Sequence, residues 1–438
     1  MLRIVAAGIV TLSGIVCAAA YAGVPEDMPS RNRPGRVAWF QDLGLGMFIH
    51  WSVDAQLGSV ISHSMVGASD EYLNRFIEEL PRTFEPKKFE PRAWARLARV
   101  AGMRYVVFTT KHHSGFCMFE TETTDFNVSN TPYGRDITRE VIEAFRAEDI
   151  GIGIYFSPDD FWVLHRQGLD VSRVRPEANP RHNPELMEHN RRQLRELLSN
   201  YGPIDVLFID GEPAGLTDLA WDLQPDIVIT RGAMETPEQK IPGKPLEGPW
   251  EACFTMGTQW QFKPTNETYK SGTQLIEMLI ETRAKGGNLL LNIGPTPSGE
   301  IPFEQERRLR ELALWNFING QAVFDIRPWY TTRAENIWFT QSKDSSILYA
   351  IITKPDWKWG ERKTIVVPGV KSSDKTQIDV LGQSGKVLEY HPDTDASTFW
   401  ENTDTGISVS AMRAQRIYND RKWPNPIVLR IHGAERME

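Results

Sequence analysis

The chain has 438 residues, enough for about two domains, with 41% hydrophobic and 24% charged residues, ordinary for a soluble globular protein. Its formal charge of −8 argues against nucleic acid as a partner. Three cysteines in this length exclude a disulfide framework or a zinc finger.

Residues 1–22 read as a cleavable signal peptide: Arg3 is the positive start, 4–16 the apolar core, and Ala20-Tyr21-Ala22 the cleavage signal. The expected location is periplasmic or extracellular. No later apolar run approaches the ~20 residues of a membrane span, so no stable membrane insertion is expected. Cleavage leaves Cys117 and Cys253, expected as two buried thiols, although an exported protein permits a bridge.

From residue 30 to 330 strand-like and helix-like segments alternate. Strand character appears at 45–51, 105–109, 152–157, 204–209, 226–231, 250–255 and 288–293, with an eighth run near Ile326. Helical character appears at 91–101, 137–148, 184–199, 272–284 and 303–319. This predicts an α/β fold, a (β/α)8-like barrel. An open doubly wound sheet is the alternative, but no GxGxxG follows a strand, so a dinucleotide site has no support. Near residue 331 the pattern changes to short strand-like runs at 337–340, 347–352, 364–367, 378–381, 387–390, 407–409 and 427–431. That reads as a C-terminal β-sandwich over 331–438.

The 204–212 stretch organises the rest. An apolar run ends in Asp210 and Gly211, and side chains at the C-terminal ends of barrel strands form active sites. Asp210 is therefore a candidate nucleophile, against the alternative of an acid that caps the next turn. Other polar groups collect at predicted strand ends: His50, His112, His113, Tyr155, Arg231 and Glu251. Neighbours on a strand point to opposite faces, so His112 and His113 should not share one site unless they lie just past the strand. No HExxH or carboxylate-rich spacing supports zinc, and no metal or cofactor is expected. Two acids on one barrel face are what glycoside hydrolysis requires.

Several stretches carry a resemblance to a known family. They are Gly44-Leu45-Gly46-Met47-Phe48-Ile49-His50-Trp51, the run from Ala101 to Cys117 with Thr110-Lys111-His112-His113, and Arg135-Asp136. Further on come Asp210-Gly211, Trp250-Glu251-Ala252-Cys253 and Gly286-Gly287-Asn288-Leu289-Leu290-Leu291-Asn292-Ile293. Over about residues 35–330 the chain resembles the α-L-fucosidases of glycoside hydrolase family 29. The resemblance implies a retaining exo-hydrolase that removes terminal α-L-fucose from oligosaccharides or glycoconjugates, with Asp210 as nucleophile and Glu251 as acid/base. It implies that His50, His112, His113, Tyr155 and Arg231 hold the fucose hydroxyls, and that Glu71 lies on a loop over the pocket. Phe48, Trp51 and Phe208 are expected as apolar walls for the sugar methyl. Ser52, Phe208 and Trp260-Gln261-Phe262 depart from the usual residues, on the side that sets linkage preference. An α-L-galactosidase of the same mechanism and a non-catalytic carbohydrate-binding relative are the alternatives. No signal for an oligomeric state is present.

Overall fold

The computed structural model describes residues 29–414 and 425–437; the predicted signal peptide lies outside them. Seven parallel strands form a curled sheet: β1 (Leu45–Ile49), β2 (Tyr105–Lys111), β3 (Gly151–Phe156), β4 (Val206–Ile209), β5 (Val228–Ile229), β6 (Glu251–Thr255) and β7 (Asn288–Ile293). Their spatial order is β5-β4-β3-β2-β1-β7-β6. The gap between β6 and β5 is bordered by residues 235–239, which run parallel to β6 through bridges Glu235–Trp250 and Glu238–Cys253. This segment has no apolar run and contains Pro237, so it carries no strand signal in the sequence. The run near Ile326 does not become an eighth barrel strand. It forms β8 (Ile326–Ala334), antiparallel to β9 (Ile337–Ser342) in a second sheet.

The helices outside the sheet are α1 (Pro34–Leu43), α2 (Asp70–Glu78), α3 (Pro91–Val100), α4 (Ile137–Arg146), α5 (Phe161–Arg166), α6 (Pro184–Asn200), α7 (Thr217–Leu223), α8 (Gly272–Ala284) and α9 (Phe303–Asn319). Their starts are written in the sequence: Asp136 and Asn183 accept hydrogen bonds from first-turn amides, and Ser271 with Gln274 forms a capping box. Among the described residues no helix is long and apolar enough to cross a membrane.

Strand alternation sorts the core. On β1, Leu45, Met47 and Ile49 face the helices, as does Trp51 just past the strand, while Phe48 joins Tyr105, Tyr155, Val206 and Phe208 inside the barrel. Gly287 is required beneath this interior, because a Cβ there would lie 2.4 Å from the Trp250 ring.

Beyond β9 come β10 (Ile347–Ile352), β11 (Arg362–Pro368), β12 (Val370–Val380), β13 (Phe399–Asn402), β14 (Gly406–Met412) and β15 (Ile427–Arg436). They form a five-stranded sheet, β12-β15-β10-β9-β8, and a three-stranded sheet, β11-β14-β13. Phe339, Leu348, Ala350, Val367, Val409 and Leu429 fill the space between the sheets, as a sandwich requires. The other face of the larger sheet, with Trp338, Tyr349, Ile351 and Val428, packs into the barrel's own core. Both faces of β10 are therefore covered, which explains its uninterrupted apolar sequence. Residues 387–390 form no strand; Tyr390 has φ 66°, which breaks an extended run.

Trp51 is fully buried among Phe84, Phe89 and Trp94, at ring-centroid distances of 5.7, 5.3 and 5.5 Å. Trp51→Ala should lower barrel stability by about 3–5 kcal/mol, the usual cost of deleting a buried indole. A shift of the urea unfolding midpoint checks this; an unchanged midpoint would place Trp51 outside the core.

Candidate active site

A cleft of about 1040 Å³ opens over the C-terminal ends of the barrel strands. Asp210 follows β4 directly, and Gly211 behind it has φ 148° and lies against Pro158, a position a larger residue would strain. The Asp210 side chain is 22% exposed, open only toward the cleft. Tyr155 at the end of β3 donates its hydroxyl to Asp210 Oδ2 at 2.7 Å. Arg231, two residues past β5, donates Nη1 to Asp210 Oδ1 at 3.0 Å. Burial alone would raise the Asp210 carboxyl, but the nearby Arg231 and Arg173 cations outweigh it and hold the group far below the usual carboxylate range.

The second nitrogen of the same guanidinium reaches another acid. Arg231 Nη2 donates to Glu238 Oε2 at 3.0 Å and lies 3.3 Å from the Thr236 carbonyl oxygen, while the guanidinium sits 4.7 Å over the Phe208 ring. Glu238 lines the cleft, and its side chain is 31% exposed.

The histidines have fixed roles. His50 Nδ1 meets Asn292 Oδ1 at 2.6 Å, and the Asn292 amide nitrogen donates to the Trp260 carbonyl. Nδ1 of His50 therefore carries the proton and Nε2 is left as an acceptor; burial first of all pulls this imidazole down to about 4. His112 Nδ1 accepts the His113 amide, so its Nε2 is a donor. His113 Nδ1 lies 2.6 Å from Ser157 Oγ, which donates to the Asp159 carbonyl; its Nε2 lies 3.6 Å from Asp210 Oδ2. Burial holds His112 and His113 neutral.

Both rings serve one site because they lie beyond the last residue of β2, where strict alternation has ended. His112, His113 and Asp210 present donor atoms within 4.8 Å of one another, a set a divalent cation could use. Both Asp210 oxygens are already engaged, one by the Arg231 cation, which opposes a second cation at the same place.

The structure thus brings His50, His112, His113, Tyr155, Phe208, Asp210 and Arg231 together. It does not bring in Trp51, which faces the helices, or Glu71, which is solvent-exposed on α2 and lines no part of the cleft. Glu251 is also separate. It is the first residue of β6, about 7 Å deeper along the strand than the cleft-lining Cys253, and it is fully buried. Its Oε2 accepts the Tyr105 hydroxyl at 2.5 Å at the barrel's N-terminal end. Strand position could have shown this, since Glu251 opens its strand-like run whereas Asp210 ends one. Glu238, Asp159 and Arg173 are cleft residues that the sequence reading missed, because all three lie on segments with no strand or helix signal; Trp260, noted only as a departure from the family's usual residues, lines the cleft as well. Cys117 and Cys253 are free, buried thiols.

The chain matches the family model described as Alpha-L-fucosidase over residues 24–321. A putative alpha-L-fucosidase of Caenorhabditis elegans is 30% identical over 421 residues, spanning 82% of this chain and 84% of that protein. The plasma alpha-L-fucosidase of Rattus norvegicus is 27% identical over 422 residues, 84% of this chain and 87% of that one. The solved structure of Alpha-L-fucosidase isoenzyme 1 from Paenibacillus thiaminolyticus superposes with a TM-score of 0.74 at 28% identity, covering 91% of this chain and 99% of that chain.

Glu251 has a consequence for stability. Burial pushes its carboxyl up to about 7, above the ordinary 4.5 of an unfolded chain. Between these values the folded protein holds a proton that the unfolded chain releases, so stability falls as pH rises from about 4.5 through 7. At about 1.4 kcal/mol per pH unit, the span is worth roughly 3 kcal/mol. Glu251→Gln should flatten the unfolding midpoint against pH over this window and gain relative to the parent above pH 7. Parallel profiles for the two proteins would show that the buried carboxyl is not neutral.

Proposed function

The chain belongs to the alpha-L-fucosidase family of glycoside hydrolases, and on that footing we propose that it is an exo-acting, retaining enzyme that removes terminal α-L-fucosyl residues from oligosaccharides or glycoconjugates. The observation that carries this reading is the single guanidinium of Arg231 shared by Asp210 and Glu238. Two carboxylates on neighbouring nitrogens of one guanidinium are close together. Double displacement uses a pair about 5–5.5 Å apart, whereas inversion needs about 6.5–9.5 Å to admit a water.

In this mechanism Asp210, held ionised, attacks the anomeric carbon as the glycosidic bond breaks. Glu238, rather than Glu251, enters this step protonated on the oxygen that does not accept from Arg231, and gives that proton to the departing oxygen. The resulting ester on Asp210 is then cleaved by water, whose proton returns to Glu238. Glu238 suits this exchange because it is partly exposed to the solvent that must supply the water. Positive charge that develops at the sugar ring faces the fixed negative charge of Asp210. His112 Nε2 offers a donor to a sugar hydroxyl, and His50 Nε2 an acceptor.

Phe48, Phe208, Cys253 and Trp260 give the cleft an apolar wall suited to the fucose methyl. A C6 hydroxyl placed there would lose its hydrogen bonds, which disfavours the α-L-galactoside alternative. Residues 1–22 have the composition of a cleavable leader, and export to the periplasm or exterior suits an enzyme of glycans.

Leaving-group dependence tests the pair. A sugar alkoxide needs the proton and a nitrophenolate hardly does, so Glu238→Ala should slow fucosylated oligosaccharides by about 10²–10⁴-fold and spare the first step with a nitrophenyl fucoside. Azide should speed the second step and give the fucosyl azide of retained, α configuration. Equal slowing of both substrates, with no response to azide, would exclude Glu238 as the acid/base.

A further inference from the structure

A second cavity, of about 180 Å³, is lined by Gln41, just ahead of β1, and by Arg283, Lys285 and Gly286, just ahead of β7. It therefore lies at the N-terminal ends of the barrel strands, opposite the Asp210 cleft. The 245–248 segment, which leads into β6, and Arg327 on β8 complete its wall.

Direct contacts hold these four segments together. Arg283 Nη2 donates to the Gln41 carbonyl at 2.9 Å, and Lys285 Nζ donates to the Pro242 carbonyl at 2.6 Å. Arg327 Nη1 donates to Asp42 Oδ1 at 2.7 Å, and a Cβ on Gly286 would lie 3.1 Å from Pro328 Cγ.

Three of the lining side chains are cations, and no lining residue is an acid. Arg283 is fully buried and pairs with no carboxylate among the described residues. Its Nε and Nη1 are satisfied by the carbonyls of Val323 and Gly287 and by Asn288 Oδ1, whereas Nη2 keeps one N–H beyond its bond to Gln41. Burial first of all, with Arg327 and Arg104 acting the same way, pulls this guanidinium down to about 10. Lys285 uses two of its three N–H groups, on Pro242 and on Glu281 Oε1. Arg327 uses Nη1, and its Nε and Nη2 have no partner among the described residues.

Glu281 and Asp42 offset Lys285 and Arg327 from outside the cavity wall, and Asp42 is shared with Lys343. The C-terminal end of α8 adds about half a negative charge, less than the whole charge of Arg283. A positive surplus remains, and a buried charge without a counter-charge is costly. A bound anion would offset it. Pockets for drug-sized ligands measure about 300–1,000 Å³, so this cavity suits a small ion and not a sugar chain. Spare N–H groups on three cations suit a tetrahedral oxyanion, whose several oxygens accept charge-assisted hydrogen bonds.

We propose that Arg283, Lys285 and Arg327 form a binding site for a small inorganic oxyanion, phosphate or sulfate, which joins the lower end of the barrel to the first strand of the C-terminal domain. The site is independent of the functional reading above.

The test is the thermal unfolding midpoint of the full chain, titrated with millimolar sodium sulfate or sodium phosphate at an ionic strength held constant with sodium chloride. An ion that binds the folded chain alone raises the midpoint along a saturating curve, whereas general exclusion of these ions from the protein surface does not saturate. Each variant is compared with itself without the ion, so a change in basal stability does not enter. The expected result is a saturating rise in the parent, with half-saturation about tenfold higher in Arg327→Met and in Lys285→Met, the value of one charge-assisted hydrogen bond. No saturating rise in the parent with either ion overturns the site. Parent-like half-saturation in either variant also overturns it, and would place the ion elsewhere, such as beside Arg231 and Arg173 in the cleft.

Discussion

The active site depends on one buried cation. Arg231 follows β5, which is only two residues long, and its side chain spans the place where the sheet is least regular. There it meets Asp210 from β4, Glu238 from the segment beside β6, and Cys253 Sγ at 3.7 Å. Without that guanidinium two carboxylates would face each other in a partly desolvated cleft, where like charges repel strongly. With it, both can be close. Removal of the cation would leave both acids poorly compensated, the costly outcome for a buried charge network.

A second buried pair holds the loop behind Asp210. Lys111, the last residue of β2, is fully buried; its Nζ donates to Asp160 at 3.0 Å and to Asn190 at 2.8 Å. Asp160 also caps α5, and Asn190 on α6 donates to the Pro158 carbonyl. The stretch from Ser157 to Asp160 is thereby fixed at both ends, and with it the Ser157 hydroxyl that orients His113. The side chains around Asp210 are thus positioned by partners on neighbouring strands, the support that precise geometry needs.

Much of this was legible in the sequence. Apolar runs bounded by turn residues marked the seven barrel strands, and Asp210 and Tyr155, at the ends of such runs, line the cleft. The same rule separates Phe48 and His50 from Trp51, because β1 cannot present neighbouring residues to one face. It also separates Asp210, which ends its strand, from Glu251, which begins one. Glu238 was not legible this way. Its segment is held by two isolated bridges and the side chain of Arg231, contacts between residues that no local pattern connects. The Gly-Gly-Asn-Leu-Leu-Leu-Asn run acquires two separate reasons. Asn288 ties β7 to the Phe40 carbonyl and to Arg283 at the bottom of the barrel, whereas Asn292 sets the tautomer of His50 at the top.

The central claim is that Asp210, held ionised by Arg231 and Tyr155, forms the bond to the sugar. The most direct measurement is the mass of the protein and of its peptides after reaction with an activated 2-deoxy-2-fluoro-fucoside, which forms the ester readily and releases it slowly. One fucosyl adduct per chain, on the peptide that contains Asp210 and absent from Asp210→Asn, is the predicted result. An adduct on Asp159 or Glu238, or turnover with no adduct and first release of the β-anomer, would contradict it.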